Sequence, residues 1–538
     1  MRITPGADTL FYGDNLAILR EHIEDESVDL IYLDPPFNSN ATYNVLFRSP
    51  TGDQSQAQIE AFEDTWHWNE AAERAFDEVI SSGNTDAAEM LRAMRSFLKE
   101  NDMMAYLAMM AVRLIELHRV LKPTGSIYLH CDPTASHYLK LILEAIFRRE
   151  NFRSEIVWKR TSSHNDSRVS YGAVTDRIFF LTKTAKPTWR RVFLPLGADH
   201  VNAKYTLIDE KGRRYTTRDL RSPSPRPNLI YSYKEFQPHP NGWSISQELM
   251  ERYDREGRLY FPRSNEGRIR LKLYLDESQG APIQDLWDDI APLNSQAQER
   301  LGYPTQKPVA LLERIIAASS NEGDLVLDPF CGCGTTVHAA EKLNRRWIGI
   351  DITHLAIGLV KRRLVQAFPR AEFDIQGVPK DLDGARELAA ADKHQFQLWA
   401  LSMVEAQPFR GGRKGADGGV DGYLYFKPDG RTTEKAVVSV KGGQNVGVGQ
   451  IRDLIATVDR ERAKIGVFLS LEDPTTVMRR EATAAGFYKT EHGTFAKIQI
   501  LTIEDVFAGS RPHTPWVDPS VFKRSRREDT ARQDQLPL

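Results

Sequence analysis

Apolar and polar positions divide the chain into two regions of regular α/β alternation, with one region lacking it. In the first region, FYG at 11–13 leads into a helical run, NLAILREHI, and VDLIYL at 28–33 is a near-continuous apolar run. A strand that apolar belongs inside a parallel sheet covered on both faces. It ends at Asp34-Pro35-Pro36-Phe37-Asn38, and two prolines cannot continue a central strand, so these residues belong to its C-terminal edge. In open α/β sheets that edge is where ligands bind. Residues 50 to about 104 have a helical composition. MMAYLAMMAVRLIELHRVL at 103–121 predicts an amphipathic helix stopped by a turn at Lys122-Pro123-Thr124-Gly125. SIYLHCD at 126–132 then predicts a strand and HYLKLILEAIF a helix.

From about 185 to 285 the alternation fails. Prolines, aromatics and arginines rise, among them Arg190, Arg191, Arg213, Arg214, Arg218, Arg221, Arg226, Arg268 and Arg270. We read an inserted, irregular domain. Regular order returns with a helix at 308–319, a strand at 324–330, a helix from Thr335, a strand at 346–352 and a helix from Leu355. The polar stretch 371–393 reads as a linker. A second α/β unit at 394–510 follows: helix 394–405, a glycine-rich turn at 411–422, strands 423–427 and 436–441, helix 449–461, strand 465–470, helix 474–485 and strand 497–502. The tail 511–538, with Lys523-Arg524-Ser525-Arg526-Arg527, reads as a solvated, disordered charge run. The domain plan is 1–184, insert 185–285, 286–370, linker, second unit and tail.

Length and charge add bounds. With 538 residues the chain has room for two to four domains. Lys plus Arg number 71 against 73 Asp plus Glu, so net charge gives no sign of a nucleic-acid partner, although a local basic groove would suffice. Three cysteines exclude a disulfide framework and suggest the cytosol. No apolar run is long enough for a membrane span, and the first residues lack the pattern of a secretory signal.

Three constellations carry chemistry. In the first, Asp34 and the Pro35 carbonyl can accept hydrogen bonds from an exocyclic amine on a base. Such an amine is a poor nucleophile because its lone pair is delocalised into the ring, and an acceptor favours its pyramidal form. Pro35 and Pro36 hold the carbonyl rigidly, Phe37 offers a stacking face, and the base must be flipped out of the duplex. The bland alternative is a strand-ending turn. The second is Leu327-Asp328-Pro329-Phe330-Cys331-Gly332-Cys333-Gly334-Thr335-Thr336, a strand entering a glycine-rich turn that opens a helix. Here backbone can approach a ligand closely. Asp351 ends the next strand, where an acid can bind both ribose hydroxyls; a turn for a different nucleotide is the alternative. Cys331 and Cys333 lack further ligands for a metal. His67, His118, His130 and His137 lack metal spacing and read as structural or surface residues.

DPPF, DPFCGCGTT and the preceding YPTQKPVALLERII together resemble the amino-methyltransferases that use S-adenosylmethionine. Their order, catalytic motif first, then an Arg-rich insert, then the cofactor motif, resembles the permuted β group, and the layout is similar to the modification subunits of type III restriction systems. Those often carry DPPY, from which Phe37 departs. The resemblance implies a Rossmann-like α/β fold over roughly residues 8–366. It implies catalysis at Asp34, Pro35, Pro36 and Phe37. Cofactor contacts would come from Asp14, Asp328, Phe330, Gly332, Gly334, Thr335, Asp351, Thr305 and Lys307. The insert would be a target-recognition domain, with Arg218, Arg221, Arg268 and Arg270 on double-stranded DNA. An aspartate in the catalytic motif is more common among adenine-N6 than cytosine-N4 enzymes. A homodimer and a helicase or nuclease subunit are the partners it suggests, with no membrane.

The third constellation is Gly415-Ala416-Asp417-Gly418-Gly419-Val420-Asp421-Gly422 followed by Val437-Val438-Ser439-Val440-Lys441. A carboxylate on one strand and a lysine ending the next can share a divalent metal and an attacking water. The region resembles the Mrr-like branch of the PD-(D/E)xK nucleases, which implies Asp421 as ligand to Mg²⁺ or Mn²⁺ and Lys441 as catalytic lysine. Ser439 departs from the family's Glu or Gln. Gln450 or Glu405 are candidate substitutes. The contrasting reading is a recognition subunit whose nuclease-like domain only docks.

Overall fold

The computed structural model describes residues 8–35, the backbone of 42–46 and 58–63, and 68–161, 171–263, 267–293, 297, 299–301, 306–409, 418–429, 432–491, 493–515 and Glu528. Two compact units emerge, residues 191–284 and the rest of the chain.

The larger unit begins with β1 (Asp8–Tyr12), α1 (Asn15–His22) and β2 (Val28–Leu33), every residue of β2 being buried. Asp14 caps α1 through its side chain. A hairpin of β3 (Thr42–Leu46) and β4 (Gln58–Glu63) precedes three helices, α2 (Glu70–Ser81), α3 (Thr85–Leu98) and α4 (Asp102–Val120). The helical expectation for 50–104 thus fails at 58–63, which forms a strand paired with β3, with a register shift at Ala61. α4 is buried almost all round, from Met104 to Val120, and even takes in Arg113; it is a core helix rather than an amphipathic one. β5 (Leu121–Cys131) carries the Lys122–Gly125 turn within it. Leu121 pairs with Val28 and Ser126 with Leu30, so the turn is a looped excursion of the strand. α5 (Ser136–Phe147), β6 (Phe152–Lys159) and β7 (Thr175–Thr182) follow.

The unit of 191–284 holds β8 (Phe193–Leu194), α6 (Ala198–Lys204), β9 (Leu207–Ile208), β10 (Arg214–Asp219), α7 (Gln247–Arg255), β11 (Leu259–Tyr260), β12 (Arg270–Tyr274) and β13 (Ala281–Pro282). A four-stranded sheet, β11-β12-β10-β9, covers a core of its own built on Leu220, Trp243, Met250, Ile269 and Leu271.

The chain re-enters the first sheet with β14 (Leu286–Trp287). α8 (Val309–Ser319), β15 (Leu325–Asp328), α9 (Thr335–Lys342), β16 (Arg346–Asp351), α10 (His354–Ala367) and β17 (Phe373–Gln376) complete it. The order is β14-β6-β7-β5-β2-β15-β16-β1-β17. From β5 to β17 neighbouring strands run parallel, and β7 lies antiparallel to β5 and β6. β2 pairs with β15, Ile31 opposite Leu327, so two segments almost 300 positions apart end side by side. Such a switch of strand order opens a crevice at the strands' carboxyl ends.

The stretch 371–393 is not a linker. It supplies the edge strand β17 and α11 (Leu382–Ala391), which buries Ala385 and Ala389. Its polarity misleads because an edge strand and a short helix each bury only one side.

α12 (Lys393–Met403), β18 (Gln407–Pro408), β19 (Gly422–Phe426), β20 (Glu434–Lys441), α13 (Val448–Arg460), β21 (Ile465–Ser470), α14 (Thr476–Ala484), the hairpin β22 (Phe487–Thr490) and β23 (Gly493–Ala496), and β24 (Ile498–Thr502) form the second α/β domain. Its sheet runs β18-β19-β20-β21-β24, with apolar clusters on both faces. Of the tail, 511–515 and Glu528 lie within the described residues, and Glu528 pairs with Lys342 on α9.

Candidate active sites

The β2 edge delivers Asp34 and Pro35 into the crevice. The Asp34 side chain is only 15% exposed and pairs with the Lys307 ammonium through Oδ2. Its other oxygen, Oδ1, is buried with no hydrogen-bond partner. A buried carboxylate oxygen left open is costly, and a donor arriving from outside would satisfy it. Pro35 is buried. Pro36, Phe37 and Thr305 lie outside the described residues.

The neighbouring β15 edge makes the glycine-rich turn. Asp328 accepts from the Phe330 amide at 3.0 Å, and burial pushes its carboxyl up to about 7. Gly332 donates its amide to Asp351 Oδ2 at 3.0 Å, and the Thr353 amide and hydroxyl both reach Asp351 Oδ1 at 2.8 Å. Burial raises the Asp351 carboxyl to about 6 against those bonds. Asp351 is mostly buried, its Oδ2 keeps accepting capacity, and the next residue, Ile352, is 59% exposed beside it. That pairing of an acid with an exposed apolar side chain fits a ribose with its base. Gly334 sits at φ 73° at the start of α9. Thr335 is turned inward: its hydroxyl accepts from buried Arg363 at 3.1 Å, which makes it a brace of the turn.

Further contacts tie the end of β1 to the glycine-rich turn, among them those of Arg113, which the sequence reading passed over. Arg113 of α4 donates to Asn15 Oδ1 at 2.6 Å and Asp14 Oδ1 at 2.7 Å, and Asn15 donates to the Pro329 carbonyl at 2.8 Å. Asp14 is therefore held by a cap and an ion pair, with its side chain half in solvent. Tyr12 stacks on His354 at 3.7 Å. Arg113 was hidden in an apolar helix.

In the second α/β domain, Asp421 is buried at the entry to β19. Its Oδ1 accepts from Gln397 of α12 at 2.7 Å; Oδ2 accepts from the Val440 amide at 2.6 Å and the Ser439 hydroxyl at 3.2 Å. Lys441 lies 3.6 Å away. Gln397, which sequence reading passed over, holds the Asp421 carboxylate through its amide nitrogen. Gln450 is spent on α13, where it accepts from the Gly447 amide. Glu405 follows α12 and lines a cleft with His354 and Arg362 of α10, away from the pair. Asp417 is outside the described residues. Among the described residues no group of three His, Cys, Asp or Glu side chains is placed to hold a metal.

In the 191–284 unit, Arg218 and Arg221 are exposed. Arg268 pairs with Asp219 at 3.2 Å and Arg270 donates to Thr217 at 3.3 Å, so these two also stitch β10 to β12 and the segment before it.

A doubly wound sheet with an open carboxylate and a glycine-rich turn at its switch point defines a Rossmann-like transferase domain, here joined to a restriction-endonuclease-like α/β domain. The DNA methylase family, of N6/N4 type, matches residues 28–362, and the restriction endonuclease family of the Mrr catalytic type matches 388–493. The chain belongs to the DNA methylase family. The type II methyltransferase M.EcaI of Enterobacter cloacae is 27% identical over 393 residues, covering 72% of this chain and 76% of that protein. The DNA adenine methyltransferase YhdJ of Escherichia coli K12 is 28% identical, covering 70% of this chain and 90% of that one. Among solved structures, the cytosine-N4-specific PvuII DNA methyltransferase aligns with a TM-score of 0.30 at 13% identity, over 66% of this chain and 86% of that one. No helix among the described residues is long and apolar enough to cross a membrane.

Proposed function

We propose that this chain methylates adenine N6 in double-stranded DNA, with S-adenosylmethionine as donor. The observation that carries the reading is Asp34 Oδ1, buried without a hydrogen-bond partner just past β2, the strand that pairs with β15 ahead of the glycine-rich turn. The donor supplies an electrophilic methyl on sulfonium sulfur. The chain supplies everything else. Asp351 and Ile352 fit its ribose and base, and the backbone around Gly332 and Gly334 leaves room for close approach. Asp34 Oδ1 and the Pro35 carbonyl accept the amine's two N–H bonds and turn its lone pair toward the methyl. Lys307 holds the carboxylate oriented through Oδ2. The carbon–sulfur bond breaks as the nitrogen–carbon bond forms, the electron pair stays on sulfur, and the methylated amine releases one proton. Alignment supplies most of the acceleration. The aspartate and the adenine-specific relative favour adenine over cytosine. The 191–284 unit, with Arg218 and Arg221 exposed, serves target recognition. DNA from a host expressing the chain, digested to nucleosides, is expected to contain N6-methyladenine at one recurring sequence. N4-methylcytosine would reassign the base, and unmodified DNA would overturn the reading.

The second α/β domain supports a second activity. A divalent ion would be held by Asp421, and it would polarise a phosphate beside Lys441. With one carboxylate, and that one already accepting three hydrogen bonds, the site suits a weakly held ion; Mg²⁺ demands more oxygen donors in octahedral order. Nicking of plasmid DNA is therefore expected to be slow, faster with Mn²⁺ than Mg²⁺, and lost in Lys441→Ala. A Lys441→Ala chain that nicks as fast as its parent, or a parent that nicks neither methylated nor unmethylated plasmid, would leave the domain as a docking module.

A further inference from the structure

The carboxyl end of the large sheet collects acids: Asp34 follows β2, Asp132 follows β5, Asp328 ends β15 and Asp351 ends β16. A DNA strand brought to that rim meets like charge, so its phosphates need a cation held ready there. Lys307 and Arg113 are engaged with Asp34 and Asp14. Arg160 stands differently. It follows β6, which runs in the same direction as β2, because β7 lies antiparallel to both β5 and β6 while β5 parallels β2. Its side chain is 41% exposed, and its Nε stands 3.1 Å from Asp176 Oδ1. Nη1 and Nη2, with four N–H donors, make no hydrogen bond among the described residues.

What holds Arg160 is built from three adjacent strands. Asp176 lies near the start of β7, and its Oδ2 is 3.1 Å from His130 Nε2 on β5; His130 Nδ1 is 2.8 Å from the Tyr32 hydroxyl on β2. Tyr32, His130 and Asp176 are each no more than 2% exposed. A carboxylate only accepts, so Nε2 carries a proton. Trp158 packs edge-on against the imidazole, ring centroids 5.7 Å apart. Burial works to raise the Asp176 carboxyl, yet the bond and charge of His130, with the charges of Lys307 and Arg160, bring it below the usual range. If this buried polar line only filled space, apolar side chains of the same volume would serve as well. Its outer end is the exposed guanidinium. A long cationic side chain loses freedom when a ligand fixes it, and one already held in place loses less. Asp176 lies opposite Trp158, two residues before Arg160, so the ion pair keeps the guanidinium close over the sheet end.

We propose that Arg160, aimed by Asp176, binds a phosphate flanking the target base once that base is flipped out of the duplex. The order β6-β7-β5-β2 sets the ends of β6 and β2 three strand spacings apart, about 14 Å. A base with its amine at Asp34 carries ribose and phosphates on the side away from that amine, and an extended arginine side chain reaches toward them from β6. Flipping costs unstacking energy, and a contact made by the flipped nucleotide's own phosphate offsets part of it. A guanidinium suits that task, because it gives two parallel N–H bonds to one phosphate. Asp176 touches no substrate; it positions Arg160. The inference rests on the methyltransferase reading above.

The test uses the full-length chain with S-adenosylhomocysteine and a labelled duplex carrying the sequence found methylated in host DNA. Arg160→Gln is expected to weaken duplex binding by about 10- to 100-fold, the scale of a lost charge-assisted hydrogen bond. The slope of log affinity against log salt should shrink by about one, the mark of one phosphate contact. Calorimetric affinity for S-adenosylmethionine should match the parent's. Arg160→Lys should restore the slope and only part of the affinity. Asp176→Asn, which loosens the guanidinium and leaves its charge, should keep the slope and weaken binding by about three- to tenfold. A neutral methylphosphonate at one of the two phosphates flanking the target base should weaken the parent and leave Arg160→Gln unaffected; placed farther along the strand it should weaken both alike. A merely structural role predicts a lower melting temperature and weaker cofactor binding together, with the slope unmoved. An unmoved slope in Arg160→Gln, or flanking methylphosphonates that weaken parent and variant equally, would overturn the inference. Unmodified host DNA overturns the methyltransferase reading itself, and modified host DNA with an unmoved slope overturns this inference alone.

Discussion

Asp34→Ala is expected to end methyl transfer while S-adenosylmethionine still binds. Deleting one preorganised hydrogen-bonding group at a reacting centre costs roughly 10²–10³ in kcat. Here the deleted group carries one of the two acceptors proposed for the amine, so the upper part of that range applies. The cofactor turn is braced by other contacts, namely Gly332 to Asp351, Asn15 to Pro329 and Arg363 to Thr335. None of these passes through Asp34. The alanine variant also leaves the buried Lys307 ammonium without its ion-pair partner, which can loosen the loop before α8. Asp34→Asn guards against that ambiguity: it keeps the shape and one acceptor oxygen but loses the charge, and its rate should fall between parent and alanine. Radiolabelled methyl transfer to DNA and calorimetry with S-adenosylmethionine read the two properties separately. Labelled DNA from Asp34→Ala at the parental rate would show that the amine is oriented elsewhere.

Much of this site was legible in the sequence, and the reasons are local. VDLIYL followed by Asp34-Pro35 announces a buried strand that must stop, because proline carries no amide hydrogen for the ladder. Leu327 to Thr336 announces a strand, a glycine turn and a helix for the same kind of reason. What the sequence hides is which distant segments meet. Lys307 was expected among the cofactor contacts, and its pairing with Asp34, 273 positions away, is set by the fold. His130 looked like a structural histidine, and burial agrees, but its neighbours on β2 and β7 give it a line of polar contacts that no spacing rule contains. Gln397 was invisible because its partner is Asp421, two dozen residues away across a sheet. The linker reading of 371–393 failed because polarity was taken for absence of structure, when β17 and α11 each need only one buried side.

Gly334→Val is expected to cost both stability and the cofactor. The residue holds φ at 73°, a left-handed conformation that a β-branched side chain resists by roughly 1–2 kcal/mol. An added Cβ would also stand 2.8 Å from Val360 Cγ2 and 2.9 Å from Val360 Cγ1. Val360 is fully buried and has one torsion, so it cannot swing aside; either α10 or the turn must move. Overpacking of that kind adds roughly 1–3 kcal/mol. The sum, about 2–5 kcal/mol, would show as a lowered urea midpoint with an unchanged slope. The displaced segment is the one that joins Gly332 to Asp351 and opens α9, so affinity for S-adenosylmethionine should fall by more than the stability loss alone requires. Gly334→Ala, with the same backbone strain and no γ carbons, should lie between. The Val360→Ala change removes the obstructing methyls, and in the double variant Gly334→Ala/Val360→Ala part of the affinity should return. Calorimetry on the three variants decides the matter: if Gly334→Val binds as tightly as the parent, the close approach of backbone to ligand at this turn is not what the glycine provides.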